Sequence, residues 1–132
     1  MLGLDTNILV RYFAQDDARQ SAVATRFIEH TLSPDRPGHV SLVTLAEFSW
    51  VMRSVYRNTV VDISQALLLL LDDRRFVVQQ AGAAWAALDV YRSEGVDFAD
   101  ALIAALDRAE GCSATVTFDR NAARISGVTL LH

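Results

Sequence analysis

Short apolar segments alternate with amphipathic segments along the whole chain, and this alternation constrains the fold more than any other feature. The apolar segments predict short buried strands, whereas the segments between them repeat apolar residues at helical spacing. Strands that alternate with helices are typical of a mostly parallel sheet covered on both faces. We therefore predict an α/β protein, a three-layer α/β/α sandwich with a central sheet of four to five strands, at residues 2–4, 40–43, 76–78, 115–118 and 128–131.

The predicted helices lie between these strands, at about residues 8–13, 16–28, 45–56, 62–75, 83–92, 98–110 and 121–125. Gly95 is expected to end the helix that precedes it, since glycine adopts the left-handed conformation at low cost. The helix at 98–110 is expected to bury one apolar stripe, formed by Ala99, Leu102, Ile103, Leu106 and Ala109.

Length and composition predict one globular domain over residues 1–132, because the chain is 52% hydrophobic and 21% charged. The longest apolar run, residues 66–71, is far shorter than the roughly 20 residues that span a bilayer. No basic and apolar leader is visible at the start, and the single cysteine, Cys112, is interpreted as a packing residue. We expect a cytoplasmic protein that does not associate with membranes.

The charged residues exclude several kinds of catalysis. All 12 basic residues are arginine, against 16 acidic residues, for a net charge of −4. Without lysine there is no Schiff-base residue, no phosphate-binding Walker lysine and no partner for an aspartyl phosphate. The histidines, His30, His39 and His132, lie in unrelated contexts, so no Ser-His-Asp or Cys-His grouping is predicted.

Acidic residues follow the predicted strands. Asp5 and Asp119 come directly after strands, Asp97 and Asp100 open a helix, and Glu47 lies early in the helix after the second strand. Ligands of parallel α/β sheets bind outside the carboxyl ends of the strands. These five acids are therefore candidates for one site at that end of the sheet.

Each aspartate also has a purely structural interpretation. Asp5 and Asp97 precede helices and are suited to capping them. Asp100, in a first helical turn, is suited to opposing the helix macrodipole, and Asp119 to forming a turn. Glu47 is harder to explain in this way, because its helical neighbours include Val43, Trp50 and Val51. We expect it beside a buried stripe, where a carboxylate needs an arginine or a cation as its partner.

Gathering such acids needs a counter-charge. Two carboxylates about 4 Å apart repel by about 4 kcal/mol at an effective dielectric constant of 20. Oxygen ligands of this kind bind hard cations such as Mg²⁺ or Mn²⁺. The acids together therefore favour a divalent metal site over five unrelated caps and turns.

Four segments that contain these acids resemble the four motifs of PIN-domain nucleases, and in particular the VapC-like toxins of type II toxin–antitoxin pairs. The segments are Leu-Asp-Thr-Asn at 4–7, Leu-Ala-Glu-Phe at 45–48, Asp-Phe-Ala-Asp-Ala-Leu-Ile-Ala at 97–104 and Thr-Phe-Asp-Arg at 117–120. The resemblance spans essentially the whole chain, with the motifs in order, and it implies a PIN-like fold.

The resemblance also implies roles for individual residues. It implies that Asp5, Glu47, Asp100 and Asp119 are the catalytic and metal-binding acids, with Asp97 as a supporting ligand. Polar residues at matching positions are expected to orient the carboxylates; they are Thr6, Asn7 and Thr117. Many relatives carry a further acid where this chain has Asn121, so a fifth ligand there is not expected.

The implied reaction is Mg²⁺- or Mn²⁺-dependent hydrolysis of RNA phosphodiester bonds, leaving a 5′ phosphate and a 3′ hydroxyl. The expected partners are the RNA substrate, a cognate antitoxin and a second copy of the chain in a homodimer or a larger toxin–antitoxin complex. Because the chain is acidic, RNA binding is expected to use arginines near the motifs. The candidates are Arg11, Arg53, Arg57, Arg120 and Arg124.

Two other interpretations remain open at this point. Aspartates after strands also occur in phosphoaspartate phosphatases and receiver domains, although these normally use a lysine that this chain lacks. A PIN-like interaction module without catalytic activity is the second alternative, and an RNA cleavage assay distinguishes it from a nuclease.

Overall fold

Five short parallel strands form two sheets in the computed structural model, which describes residues 1–132. Strands β1 (Leu2–Gly3), β2 (Gly38–Val40) and β3 (Phe76–Val78) form one sheet in that order. Strands β4 (Thr115–Thr117) and β5 (Val128–Leu130) form the other. The predicted α/β fold with parallel strands is confirmed, but the five strands pair as sheets of three and two rather than as the one central sheet that was predicted. The chain divides into two compact units, Met1–Gln79 and Gln80–His132, and each unit contains one sheet.

The first unit carries four α-helices around its three strands. They are α1 (Thr6–Ala14), α2 (Ala18–Arg26), α3 (Leu42–Ser54) and α4 (Val60–Asp72), and a π-helical turn at Phe27–Thr31 extends α2. All four begin after a residue whose side chain accepts a hydrogen bond from the first turn; these caps are Asp5, Asp17, Ser41 and Thr59. Leu9, Ile28, Leu45 and Leu67 are completely buried in this unit.

The second strand ends earlier than its apolar sequence predicts. We predicted a strand through Val43, but β2 ends at Val40 and α3 begins at Leu42. The Ser41 hydroxyl accepts a hydrogen bond from the Thr44 N–H at 3.1 Å, and the Gln79 side chain accepts one from the Leu42 N–H at 3.0 Å. Capping by Ser41 therefore starts the helix within the apolar run.

The second unit contains helices α5 (Ala81–Glu94) and α6 (Phe98–Ala109), and a 3₁₀ turn at Ala122–Arg124. Gly95 ends α5 with a φ of 67°, as predicted. The interpretation of Cys112 as a packing residue is wrong, because its side chain is exposed. Tyr91 and Phe98 pack edge to face, with ring centroids 5.9 Å apart, where α5 and α6 meet. None of the helices in the structure is both long and apolar enough to cross a membrane.

The buried face of α6 differs from the predicted stripe. Of the predicted residues, Leu102 is buried, but Ile103 is 50% exposed and Ala109 is exposed. The face that is buried consists of Phe98, Ala101, Leu102 and Ala104. Small residues occur on both sides of this helix, and alanine gives little indication of which side faces a neighbour.

Candidate functional site

Asp5 lies at the junction between β1 and α1. Its Oδ1 accepts a hydrogen bond from the Thr6 N–H at 2.8 Å, and its backbone carbonyl accepts one from the Ile8 N–H at 3.1 Å. The side chain is exposed, whereas Leu4 and Thr6 on either side of it are buried. Asp5 therefore caps α1 as the structural interpretation predicted, but the bond uses only Oδ1 and holds the carboxylate in one orientation.

Asp5 and Glu47 line the same cavity, which has a volume of about 310 Å³ in the first unit. The β1–α1 junction supplies one wall and α3 supplies the other. Two of the four acids that the sequence analysis selected are thus brought together, although 42 positions separate them in the chain. The other lining residues are Thr6, Asn7, Val10, Arg11, Val51, Val55 and Tyr56.

The expected burial of Glu47 is wrong. Glu47 is exposed, and it shares its side of α3 with Val43 and Trp50, which are 78% and 56% exposed. The inward face instead carries Leu42, Thr44, Leu45, Phe48, Ser49 and Met52. Leu45, Phe48 and Met52 recur at helical spacing and bury the larger apolar area, so they set the orientation of the helix. The carboxylate of Glu47 thus keeps its hydration and opens onto the cavity.

A polar network forms one side of this cavity around Arg11. Its Nη1 donates to both carboxylate oxygens of Asp16, at 3.1 and 3.2 Å, and to the Tyr56 hydroxyl at 3.0 Å. Its Nε donates to the Gln20 side chain at 2.7 Å. We expected Arg11 to be an RNA contact, but these bonds direct most of its donors into the protein. Arg11 also lines a second cavity of about 580 Å³ between α1 and α2.

Asp16 and Tyr56 also contribute to this side of the cavity, and neither was predicted from the sequence. The Tyr56 hydroxyl donates to Oδ2 of Asp16 at 2.6 Å, and this bond, together with Arg11, holds the pKa of Asp16 below its ordinary value. The same bond and the partial burial of the ring raise the pKa of Tyr56. Forty positions separate the two residues, so no local pattern in the sequence indicates their contact.

In the second unit, Asp97 caps α6. Its Oδ1 accepts hydrogen bonds from the Ala99 N–H at 2.9 Å and the Asp100 N–H at 3.4 Å. Asp100 follows in the first turn of the helix, where a carboxylate is stabilised by the macrodipole, and it is half-buried. Asp97 therefore caps the helix, which was the structural role that its position in the sequence suggested. The same bonds fix the direction of its carboxylate.

Asp119 is held in a tight turn directly after β4. Its Oδ1 accepts hydrogen bonds from the Asn121 N–H at 2.8 Å and the Ala122 N–H at 3.3 Å. Its own N–H donates to the Thr117 hydroxyl at 3.0 Å. Both side-chain bonds use Oδ1, which leaves Oδ2 of this exposed carboxylate for a ligand. Thr117, the residue for which the resemblance implied an orienting role, thus restrains the backbone of Asp119.

The remaining arginine candidates differ in their surroundings. Arg53, Arg57 and Arg120 are exposed, and Arg57 has a left-handed backbone with a φ of 55° just beyond α3. Arg124 donates from Nη2 to the Glu94 carbonyl at 2.9 Å, a bond within the second unit. Arg120 directly follows Asp119, which makes it the exposed cation nearest to a candidate catalytic acid in the sequence.

The candidate acids are divided between the two units. Asp5 and Glu47 belong to the first unit, and Asp97, Asp100 and Asp119 belong to the second. The structure contains no group of three or more His, Cys, Asp or Glu side chains placed to hold a metal ion. Within each unit the donor chemistry fits a hard cation: Asp5 in the first unit and Asp119 in the second each have one carboxylate oxygen held by backbone N–H groups and a second available.

One family of known proteins matches this chain. The family described as the PIN domain matches residues 3–128, which is nearly the whole chain and includes all five candidate acids. The comparison with curated proteins found no match.

Proposed function

This chain belongs to the PIN-domain family, and from that premise we propose that it is a Mg²⁺- or Mn²⁺-dependent endoribonuclease that hydrolyses RNA phosphodiester bonds. The family has a nuclease-type fold, which supports the choice of reaction. The single observation that carries the proposal is the shared cavity of Asp5 and Glu47, which come from two different motifs of the chain.

In the proposed mechanism, Asp5 and Glu47 would hold the divalent cation at the cavity they share in the first unit. The resemblance proposes Asp100 and Asp119 of the second unit as further ligands, with Asp97 in support. When bound, the cation supplies positive charge for the phosphate oxygens and lowers the pKa of water. The chain's own contribution is orientation. Thr6 fixes Oδ1 of Asp5, and the N–H groups of Asn121 and Ala122 fix Oδ1 of Asp119, so these carboxylates need little reorganisation to act.

The test is cleavage of single-stranded RNA by the purified chain, with Mg²⁺ or Mn²⁺ and with EDTA. Asp5→Asn keeps an oxygen that can cap α1 but removes the charge. We expect it to lower the cleavage rate at least roughly 100-fold. Losing a residue that only supports a metal ligand already lowers activity by up to about 100-fold, and Asp5 is proposed to be a ligand itself. Asp35→Asn, at an exposed loop acid, is the matched control and should cleave normally. Equal cleavage by both variants would remove Asp5 from the mechanism.

We also propose that the chain is the toxin of a type II toxin–antitoxin pair, with an antitoxin and a second copy of itself as partners. The exposed apolar residues Val43 and Trp50 on α3 support a protein partner, since such side chains are favoured at interfaces. Induced expression is expected to arrest growth, and Asp5→Asn is expected to relieve the arrest. Arrest by both forms, or by neither, would contradict the toxin role.

An inactive PIN-like interaction module is the second candidate, and one observation favours it. No group of three or more ligand-type side chains is placed to hold a metal ion. If neither the parent chain nor any variant cleaves RNA with either metal, while the chain still binds a partner protein, the module is the better description.

A further inference from the structure

An exposed aromatic side chain directly precedes Asp119. Phe118 is 81% exposed, more than any other large apolar side chain of the protein. The other five phenylalanines are buried or half-buried. Phe118 shares its side of the β4 segment with Val116, two positions earlier, which is 60% exposed. A phenyl ring left mostly in water forgoes the free energy of burial, and the fold covers only a small part of this one.

The backbone on both sides of Phe118 is restrained. The Thr117 carbonyl accepts a hydrogen bond from the Leu131 N–H at 2.8 Å, which continues the pairing of β4 with β5. On the other side, the Asp119 N–H donates to the Thr117 hydroxyl, and the Asp119 side chain accepts from the turn that follows. The ring is therefore presented from a fixed position rather than from a mobile loop.

An acid and an arginine follow the ring in the sequence. Asp119 is a proposed catalytic residue, and the next residue, Arg120, is an exposed cation. Unpaired bases stack on aromatic side chains, and arginine binds backbone phosphates. Resting on the proposed function, we propose that Phe118 is the stacking surface for an unpaired base of single-stranded RNA next to the phosphate that is cleaved, and that Arg120 binds a neighbouring phosphate.

A second copy of the chain is a less suitable occupant of this surface. The apolar residues on this side are Val116, Phe118 and Leu131, with exposures of 60%, 81% and 44%. A stable interface buries about 800 Å² on each partner, whereas one large aromatic side chain contributes about 150–250 Å². These three side chains supply only part of that area, whereas Phe118 and Arg120 match one base and one phosphate.

The experiment uses a single-stranded RNA oligonucleotide that contains 2-aminopurine, whose fluorescence is quenched when the base stacks. RNA is titrated with the Asp5→Asn chain, which prevents cleavage, and with the same chain carrying Phe118→Leu, Phe118→Trp or Val116→Ala. Phe118→Leu keeps an apolar side chain but removes the aromatic face. We expect it to lose the quenching and to bind roughly 5- to 150-fold more weakly, the effect of removing an aromatic partner from a stacked base.

The controls separate the different explanations. Phe118→Trp should restore quenching, and Val116→Ala, at the exposed neighbour, should bind like the parent. Equal binding and quenching by Phe118→Leu, while the wild-type chain cleaves RNA, would overturn this inference alone. If the wild-type chain neither binds nor cleaves RNA, the proposed function fails as well. A lower molar mass of Phe118→Leu in solution, with RNA binding unchanged, would assign the surface to a second copy instead.

Discussion

The Tyr56 hydroxyl donates a hydrogen bond of 2.6 Å to Oδ2 of Asp16, and this bond connects the segment after α3 to the segment before α2. Arg11 donates to both residues from α1. Three helices are thereby joined at one side of the cavity that Asp5 and Glu47 line. The network thus helps to hold the separation between α1, which follows Asp5, and α3, which carries Glu47.

Tyr56→Phe tests this role. The substitution removes the donor to Asp16 and the acceptor for Arg11 but keeps the ring. We expect the melting temperature to fall by a few degrees and RNA cleavage to weaken, because the cavity wall loses its connection between helices. Tyr12→Phe is the matched control and should leave cleavage unchanged. A Tyr56→Phe chain with unchanged melting temperature and cleavage would show that the network has no effect on the site.

We expect the Asp73–Arg75 ion pair, which lies just before β3, to make the stability of the fold depend on pH. Arg75 Nη2 lies 2.6 Å from Oδ2 of Asp73, and hydrogen bonds from Arg75 lower the pKa of Asp73. Because the pKa of Asp73 is lower in the folded chain than in the unfolded chain, where it is near 3.8, the ionised carboxylate stabilises the fold at pH values above 3.8. This stabilisation is lost as the pH falls through the pKa of the folded chain. The partial exposure of both side chains limits the contribution to about 1 kcal/mol at neutral pH.

Asp73→Asn is therefore expected to melt at a lower temperature than the parent at pH 7. The difference should shrink as the pH falls below about 3.8. Asp72→Asn, at the exposed neighbouring acid, should show no such trend. Thermal melts of the three chains over this pH range measure the effect, and a difference that stays constant with pH would contradict the assignment to this ion pair.

The left-handed backbone of Arg57 is expected to lower the stability of the fold. Its φ of 55° is left-handed, and the following Asn58 N–H donates to the Met52 carbonyl at 2.9 Å, which ends α3 in the manner usual for glycine. A left-handed residue with a side chain costs about 1–2 kcal/mol. We expect Arg57→Gly to raise the free energy of unfolding by about 1 kcal/mol.

Arg53→Gly is the matched control for that substitution. Arg53 lies within α3, where glycine lowers stability by about 1 kcal/mol relative to alanine. Chemical denaturation of both variants gives the comparison. A loss of stability in Arg57→Gly would mean that the arginine side chain makes a contribution larger than the backbone strain.

The sequence predicted those parts of the fold that depend on local chemistry. Gly95 ends α5, Asp97 caps α6, and β3 spans the predicted residues, because glycine, capping carboxylates and β-branched runs act within a few positions. The grouping of Asp5 with Glu47 was expected from the rule that ligands bind beyond the ends of parallel strands.

Features that depend on tertiary packing were not predicted. The orientation of α3, and with it the exposure of Glu47, is set by which apolar residues the rest of the unit covers, and apolar residues occur on both sides of that helix. The Arg11 network joins residues far apart in the chain, so no spacing rule indicates it. The same reasoning explains why Ile103 lies outside the buried face of α6.

The proposed nuclease activity requires that Asp5 and Glu47 bind one divalent cation at the cavity they share, and Mn²⁺ titration followed by electron paramagnetic resonance tests this most directly. We expect the parent chain and the Asp35→Asn control to bind Mn²⁺ equally. Asp5→Asn and Glu47→Gln should each bind it at least roughly 10-fold more weakly, since each removes a proposed ligand. Parent-like Mn²⁺ affinity in either variant, with the fold intact by circular dichroism, would contradict the shared metal site.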